Sequence, residues 1–405
     1  MVKKKIHRAI QARPKETASS QGQIAKIKVV GIGGGGGHVI SRMRDDIEIR
    51  GIDFIAINTD SQDLDYTNAR QKIYIGKNLT HGLGTGMNPE LGRQAAEESR
   101  AEIAEALKGA DIVFLTACGG GGTGSGAAPF VAEVARETGA LTVAIFTKPF
   151  SFEGGQRMRI AQEALVKLKE KVDTLIVVPN DRIFSVIKKD TPIIRAFEHI
   201  DNVLKDAVQG IAELIAMPGI INIDFADVRV IMRDAGFALV GTSIASGQER
   251  AVQAVNHILN SPLTEIAIDG AKNVLFGVFG GKDLRMTEVN DAAKVIAEGV
   301  DPAARIIFGA YHDRRLKQGQ MKITLIATGF NGGHVLKAVE PISASLFSSS
   351  HGEHDEASRP QASGKERAID REHGREGKEK EPERKSEKKE SGDVWDIPAF
   401  LRKKK

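Results

Sequence analysis

The chain has 405 residues, with 57 Lys and Arg against 53 Asp and Glu and a net charge of +4 at neutral pH. That length holds two domains and a disordered segment, and so even a charge balance demands neither nucleic acid nor a membrane surface as partner. The one cysteine, Cys118, excludes an internal disulfide and suits a reducing cytoplasm, and no stretch approaches the ~20 apolar residues of a membrane span.

Residues 1–23 are basic at their start but lack the apolar run of a secretory signal, so they read as a mobile tail. Residues 25–31 read as a strand that runs into Gly31, Ile32 and the five glycines Gly33 to Gly37, followed by His38; a helix then begins. Alone, G-x-G-x-x-G fits a dinucleotide site, with Asp53 near the ~20-residue spacing expected of a ribose partner. Residues 51–60 form a second strand with a polar carboxyl end, where an open parallel sheet binds ligands. Residues 82–90 form a Gly-rich loop that Pro89 ends at a helix start.

The most informative stretch is residues 117–129. A buried strand at 110–116 precedes it and a helix from Phe130 follows it, and six of the eight residues 119–126 are glycine. Consecutive exposed N–H groups at the positive end of a helix make an anion cradle, and phosphate is its natural tenant. A turn that needs glycine only for packing accounts for one or two of these residues, not six. With the glycines at 33–37, the chain offers two cradles able to hold a polyphosphate from both sides. G-x-x-x-x-G-K-[ST] is missing, so the P-loop class is excluded.

A strand at 141–146 leads to a helix opened near Glu153 and Arg157, which are four apart and able to pair on one face. A further strand at 174–178 ends in Pro179, Asn180 and Asp181. Strands alternating with helices predict a doubly wound parallel α/β domain. Thr191 as cap and Pro192 at the first position then start a helix of about 25 residues, nearly 40 Å long, which Met217, Pro218 and Gly219 end. Phe197 and Asp201 lie one turn apart on it. Such a ring can stack on a base while the carboxylate accepts guanine N1–H and N2–H; a core Phe beside a solvated Asp is an equal reading of the same residues.

Beyond that helix, Asn222, Asp224 and Asp227 are the polar members of an apolar run. They can orient a water for attack on a γ-phosphate, or simply cap a helix. They stand a whole helix away from Phe197 and Asp201, so one chain cannot bring the two groups together. Head-to-tail stacking can, and that heterologous contact repeats into a filament. Val230-Ile231 and residues 237–242 precede a helix at 247–260; strands are predicted at 266–268, 273–279, 304–309 and 321–327, with a helix at 287–298. From about 341 the apolar pattern fails. Residues 364–393 hold ten basic and ten acidic residues with only Ala368 and Ile369 apolar, a composition that predicts disorder. Residues 393–405 restore large apolar side chains, including Trp395, and read as a docking peptide.

Residues 120–126, Gly-Gly-Gly-Thr-Gly-Ser-Gly, resemble the signature of the tubulin/FtsZ family of polymerising GTPases, nearest its bacterial cell-division branch. The similarity runs along most of 24–332 and returns in Asp-Ile-Pro-Ala-Phe-Leu-Arg at 396–402. The resemblance implies a GTP-binding domain at 24–190, a central helix at 191–219, a smaller α/β domain at 220–340, a disordered charged linker at 341–392 and a partner-binding peptide at 393–405. It implies GTP or GDP as the bound nucleotide, with Mg²⁺ held mainly through the phosphates. By the same resemblance the phosphates meet Gly34, Gly35, Gly36, Gly37 and His38 from one side and Gly121, Gly122, Thr123 and Gly124 from the other. His38 stands where the family carries Asn; imidazole donates one hydrogen bond, is bulkier and can carry charge. Glu153 is implied at the ribose, Arg157 near the nucleotide, Asn180, Phe197 and Asp201 at the base, and loop 82–90 near the γ-phosphate. Asn222, Asp224 and Asp227 are implied to complete the GTPase site of the next subunit, so that polymerisation triggers hydrolysis. The implied partners are the chain itself and, through residues 393–405, membrane tethers and regulators of division; the implied place is a cytoplasmic ring at the division site. Two other readings are a Rossmann NAD-dependent dehydrogenase, from the first glycine turn, and a non-hydrolysing nucleotide-bound scaffold acting through its tail.

Overall fold

The computed structural model describes residues 25–46, 51–263 and 265–330. The tails at 1–23, 341–392 and 393–405 lie outside the described residues.

Apolar runs such as Ile27–Ile32 and Ile112–Cys118 are buried along nearly their whole length, as strands of a parallel sheet covered on both faces must be. In chain order the first half runs β1 (Ile27–Ile32), α1 (Gly33–Asp46), β2 (Ile52–Asn58), α2 (Ser61–Tyr66), β3 (Gln71–Tyr74), α3 (Lys77–Thr80), α4 (Pro89–Glu98), α5 (Arg100–Leu107), β4 (Ile112–Cys118), α6 (Gly122–Glu137), β5 (Leu141–Lys148), α7 (Gly155–Lys171) and β6 (Thr174–Pro179). There follow α8 (Ile193–Ala216), α9 (Phe225–Met232), β7 (Gly236–Ser246), α10 (Arg250–Leu259), β8 (Asn273–Gly280), α11 (Met286–Gly299), β9 (Arg305–His312) and β10 (Gln320–Thr328).

The strands form one sheet in the order β3-β2-β1-β4-β5-β6-β7-β10-β8-β9. From β3 to β6 every pairing is parallel. The strand order reverses between β1 and β4, the switch point at which open α/β sheets bind ligands. Register brings both strand ends level there: Ile32 lies opposite Ile57 on one side and Ala117 on the other. The two glycine stretches therefore leave the sheet side by side. β6 meets β7 through only two residue pairs. Beyond that join β10 lies antiparallel between β7 and β8, while β8 and β9 are parallel.

Helix α8 crosses between the halves. Ile200, Leu204, Ala207, Val208, Ile211 and Leu214 are buried at helical spacing, each large one contributing about 1.5–3 kcal/mol by leaving water. At Gly210 a Cβ would lie 2.8 Å from Thr324 Cγ2, so glycine sets how closely α8 approaches β10.

Local expectations change in five places. The glycine stretches are the first turns of helices: α1 starts at Gly33 and α6 at Gly122, eight residues before Phe130. Pro192 is the N-cap of α8 with no side-chain cap, and Thr191 Oγ1 accepts from Lys188 N–H at 3.0 Å instead. Residues 266–268 are not a strand: Ile266 and Ile268 are buried by packing alone. Val230 and Ile231 belong to α9. β3, four residues at the sheet edge, carries no apolar pattern that would predict it.

Candidate functional site

The site is assembled at the carboxyl ends of β1, β2 and β4. A Cβ added to Gly33 would lie 3.0 Å from Gly124 N, so the first turns of α1 and α6 pack backbone against backbone. Their glycines divide into two kinds. Gly35, Gly36, Gly124 and Gly126 have no room for a side chain: Cβ atoms there would sit 2.4 Å from Cys118 Sγ, 2.6 Å from Thr116 O, 2.6 Å from Cys118 O and 1.9 Å from Pro89 O. Gly121, the N-cap of α6, faces open space. Packing thus accounts for more of the glycines than their number suggests, and what the packing leaves is two juxtaposed helix N-termini whose free N–H groups favour an anion.

Around these turns the polar groups are tied together. Thr123 Oγ1 lies 2.7 Å from Thr59 Oγ1 and 3.2 Å from Thr85 Oγ1, which places loop 82–90 against the start of α6. Gly122 permits this, since a Cβ there would lie 2.2 Å from Thr85 Oγ1. Asp63 accepts from Asn58 Nδ2 at 2.7 Å and has the exposed His38 at 3.6 Å. Cys118 sits beneath; burial pushes its thiol up to about 11, so it stays neutral and serves as a small packing residue.

On the other flank, Glu153 accepts from Phe150 N–H at 2.8 Å and pairs with Arg157 at 2.6 Å. Phe150 stacks on Phe152 with centroids 4.8 Å apart and meets Phe197 edge-on at 5.8 Å. Phe197 is 41% exposed. Asn180 has a buried amide oxygen with no hydrogen-bond partner, an acceptor whose partner a ligand would supply. Asp201 is bonded to Arg42 Nη1 at 2.6 Å. Burial raises its carboxyl above the usual range, while the charges of Arg42 and then His38 oppose that.

Three of the expected residues are elsewhere. Asn222, Asp224 and Asp227 follow α8, whose 24 residues span about 36 Å. Ile221 pairs with Ala310 there, Asn222 Oδ1 accepts from Gly219 N–H at 2.6 Å, and Asp227 Oδ2 accepts from Asp224 N–H at 3.3 Å. Asn222 and Asp224 are exposed. Asp224 is indeed a helix N-cap, which does not remove its carboxylate from solvent. Asp53 cannot serve as a ribose partner: it lies at the amino end of β2, about 17 Å from the carboxyl end, and is paired with Arg70 at 2.8 Å. The dinucleotide reading fails on that geometry. Sequence reasoning missed Arg42 and Asp63 and marked Thr59 only as part of the polar carboxyl end of residues 51–60. Arg42 carries a signal too, one turn after His38 on the same helix.

Residues 26–188 match the model of the Tubulin/FtsZ family GTPase domain, and residues 236–331 match that of the FtsZ family C-terminal domain. The solved structure of an FtsZ dimer from M. jannaschii is 45% identical, with a TM-score of 0.71, covering 76% of this chain and 89% of that one. CetZ2 from Haloferax volcanii, solved as a GTPγS-bound protofilament, is 21% identical with a TM-score of 0.65, covering 76% and 94%. CetZ1 from the same organism, a GDP-bound monomer, is 22% identical with a TM-score of 0.66, covering 76% and 95%. The two CetZ proteins share the fold. The FtsZ structure is archaeal, so the match carries the family and not the expected bacterial branch.

Proposed function

The chain belongs to the tubulin/FtsZ family, as a GTP-hydrolysing cytoskeletal protein that self-assembles into filaments, and from that premise we propose how its own residues do this. The N–H groups at Gly34 to His38 and Gly121 to Gly124 hold the phosphates of GTP or GDP at the starts of α1 and α6. Glu153 accepts from the ribose, and Arg157, already paired with it, adds positive charge beside the nucleotide. Phe197 stacks on the base, Asp201 accepts guanine N1–H and N2–H, and the orphan amide of Asn180 meets the base edge. Bound Mg²⁺ neutralises phosphate charge. In this reading its ligands are mainly phosphate oxygens.

The catalytic residues are Asn222, Asp224 and Asp227 of the neighbouring subunit. Their carboxylates and amide orient and polarise the attacking water, which is the larger part of phosphoryl-transfer catalysis. One observation supports this above others: the exposed Asn222 and Asp224 and the base-side residues Phe197 and Asp201 lie near opposite ends of one helix. A subunit stacked head-to-tail brings the two ends together and makes hydrolysis depend on assembly. In the cell the filaments form the cytoplasmic ring at the division site, and residues 393–405 recruit membrane tethers and regulators. Deleting 394–405 then abolishes recruitment and spares GTPase activity.

The test is GTP hydrolysis against protein concentration for the wild type, Asp224→Ala, and mixtures of Asp224→Ala with Asp201→Ala. The expected result is a concentration threshold with partial rescue in the mixture, because Asp201→Ala subunits lend an intact loop to the intact nucleotide sites of Asp224→Ala. Activity proportional to protein, with no rescue, would overturn the shared site.

A further inference from the structure

The base-side carboxylate is not alone. Asp201 lies on α8 with 16% of its side chain exposed, and Arg42 reaches it from α1, placing Nη1 2.6 Å from Oδ2. Arg42 is one turn beyond His38, whose charge also acts on Asp201. The helix that starts at the phosphate cradle therefore reaches the base pocket in its third turn, about 13 Å further along.

We propose that Arg42 is a specificity-determining positioning residue, holding the Asp201 carboxylate as an aimed anion so that the pocket takes guanine and refuses adenine. This rests on Asp201 being the base acceptor. The chemistry turns on which form Asp201 adopts. A carboxylate only accepts, and beside its O6 acceptor guanine offers two adjacent donors, N1–H and N2–H. Adenine offers one donor, N6–H, and one acceptor, N1. A neutral carboxyl has one donor and one acceptor as well, so protonated Asp201 fits adenine and no longer matches the N1–H and N2–H pair of guanine. Discrimination between the two purines is therefore a matter of keeping one proton off one buried oxygen.

The surroundings of Asp201 are divided on that point. Burial favours the neutral form, and Glu198 on the same helix adds to it. Glu153 is paired with Arg157 at 2.6 Å, and the Cys118 thiol beneath is neutral. Arg42 and His38, both from α1, act the other way, with Arg42 the larger. Arg42 leaves room for the base. A carboxylate has about four lone-pair directions; Arg42 occupies one on Oδ2, and guanine needs two. The single Nη1 bond anchors Oδ2, so Arg42 sets the position of the carboxylate as well as its charge.

The test uses the full-length protein and equilibrium binding of GDP and ADP, which avoids hydrolysis and assembly, at neutral and mildly acidic pH. The variants are Arg42→Gln, Arg42→Lys and Asp201→Asn. The expected result for Arg42→Gln is roughly a tenfold fall in the GDP-to-ADP affinity ratio, larger at acidic than at neutral pH. Arg42→Lys recovers most of the ratio, since lysine restores the charge without the fork. A purely structural role would weaken both nucleotides equally and leave the ratio and its pH dependence unchanged, and that outcome overturns the proposal. Asp201→Asn separates the two levels. If it leaves the GDP preference intact, Asp201 is not the base acceptor and the parent reading falls. If it abolishes the preference while Arg42→Gln changes the ratio at neither pH, only the role of Arg42 falls.

Discussion

Thr59 Oγ1 and Thr123 Oγ1 lie 2.7 Å apart with both residues buried, and Thr85 Oγ1 completes a hydroxyl cluster 3.2 Å from Thr123. The end of β2, the loop before α4 and the first turn of α6 are joined at this one point.

Thr123→Val keeps the shape of that side chain and removes its hydroxyl, leaving Thr59 and Thr85 buried without their partner. The expected cost is about 1–3 kcal/mol of unfolding free energy, measured by urea denaturation without nucleotide. The double variant Thr59→Val/Thr123→Val removes both ends of the shorter bond and recovers part of that loss. Strictly additive losses would show that the two hydroxyls do not act on each other.

Two glycines of similar appearance in the sequence should behave in opposite ways. A methyl at Gly126 would sit 1.9 Å from Pro89 O and 2.9 Å from Arg93 N, both backbone atoms of α4. Gly126→Ala therefore forces α4 off α6 and disturbs the loop before it; the expected result is a loss of about 1–3 kcal/mol or more together with weaker GDP binding. Gly155, the first residue of α7, has nothing within reach of a Cβ. Gly155→Ala should leave GDP binding unchanged and raise stability by up to about 1 kcal/mol. Thermal melts with and without GDP read both effects.

The contrast between Gly126 and Gly155 marks what the sequence makes legible. Local patterns carry the parallel half of the sheet, because strands buried on both faces are apolar throughout, and they carry α8, because Leu204, Val208 and Ile211 repeat at helical spacing. They fail where structure depends on a distant partner. β3 exists because Ile57 and Asn58 offer it an edge to pair with, and Ile266 and Ile268 are buried without pairing at all. The glycine turns mark the site in the sequence, yet most of their glycines answer to neighbours such as Cys118 and Pro89 that no spacing rule identifies. Arg42 and Asp201 are 159 residues apart. Only the packing of α1 against α8 makes them partners.

A stability loss at acidic pH should come from the junction of α8 with the second half. Glu213 on α8 bonds Lys322 on β10 at 2.6 Å and Arg315 at 2.8 Å, and Arg315 bonds Asp313 at 2.7 Å. Glu213, Asp313 and Lys322 are buried. Burial works to raise the Asp313 carboxyl, but hydrogen bonds from Arg315 and the charges of Arg315 and Lys322 outweigh it and hold the group at about 2, against 3.8 unperturbed. Glu213 is lowered in the same sense: burial opposes the shift, and Lys322 leads the groups that outweigh it. A carboxylate held below its unfolded value stabilises the fold above that value and loses the contribution as pH falls through the folded one. The window here runs from about pH 4 to about pH 2, and for Asp313 the shift corresponds to roughly 2 kcal/mol. Lys322→Met removes a cation that faces both carboxylates and leaves Arg315, whose side chain is 53% exposed, to hold them alone. At neutral pH the expected cost is about 3–5 kcal/mol, and the acid transition followed by circular dichroism should move to higher pH, since both carboxyls protonate more readily once Lys322 is gone. Unchanged urea and acid midpoints would mean that the network closes the junction sterically and contributes no electrostatic stability.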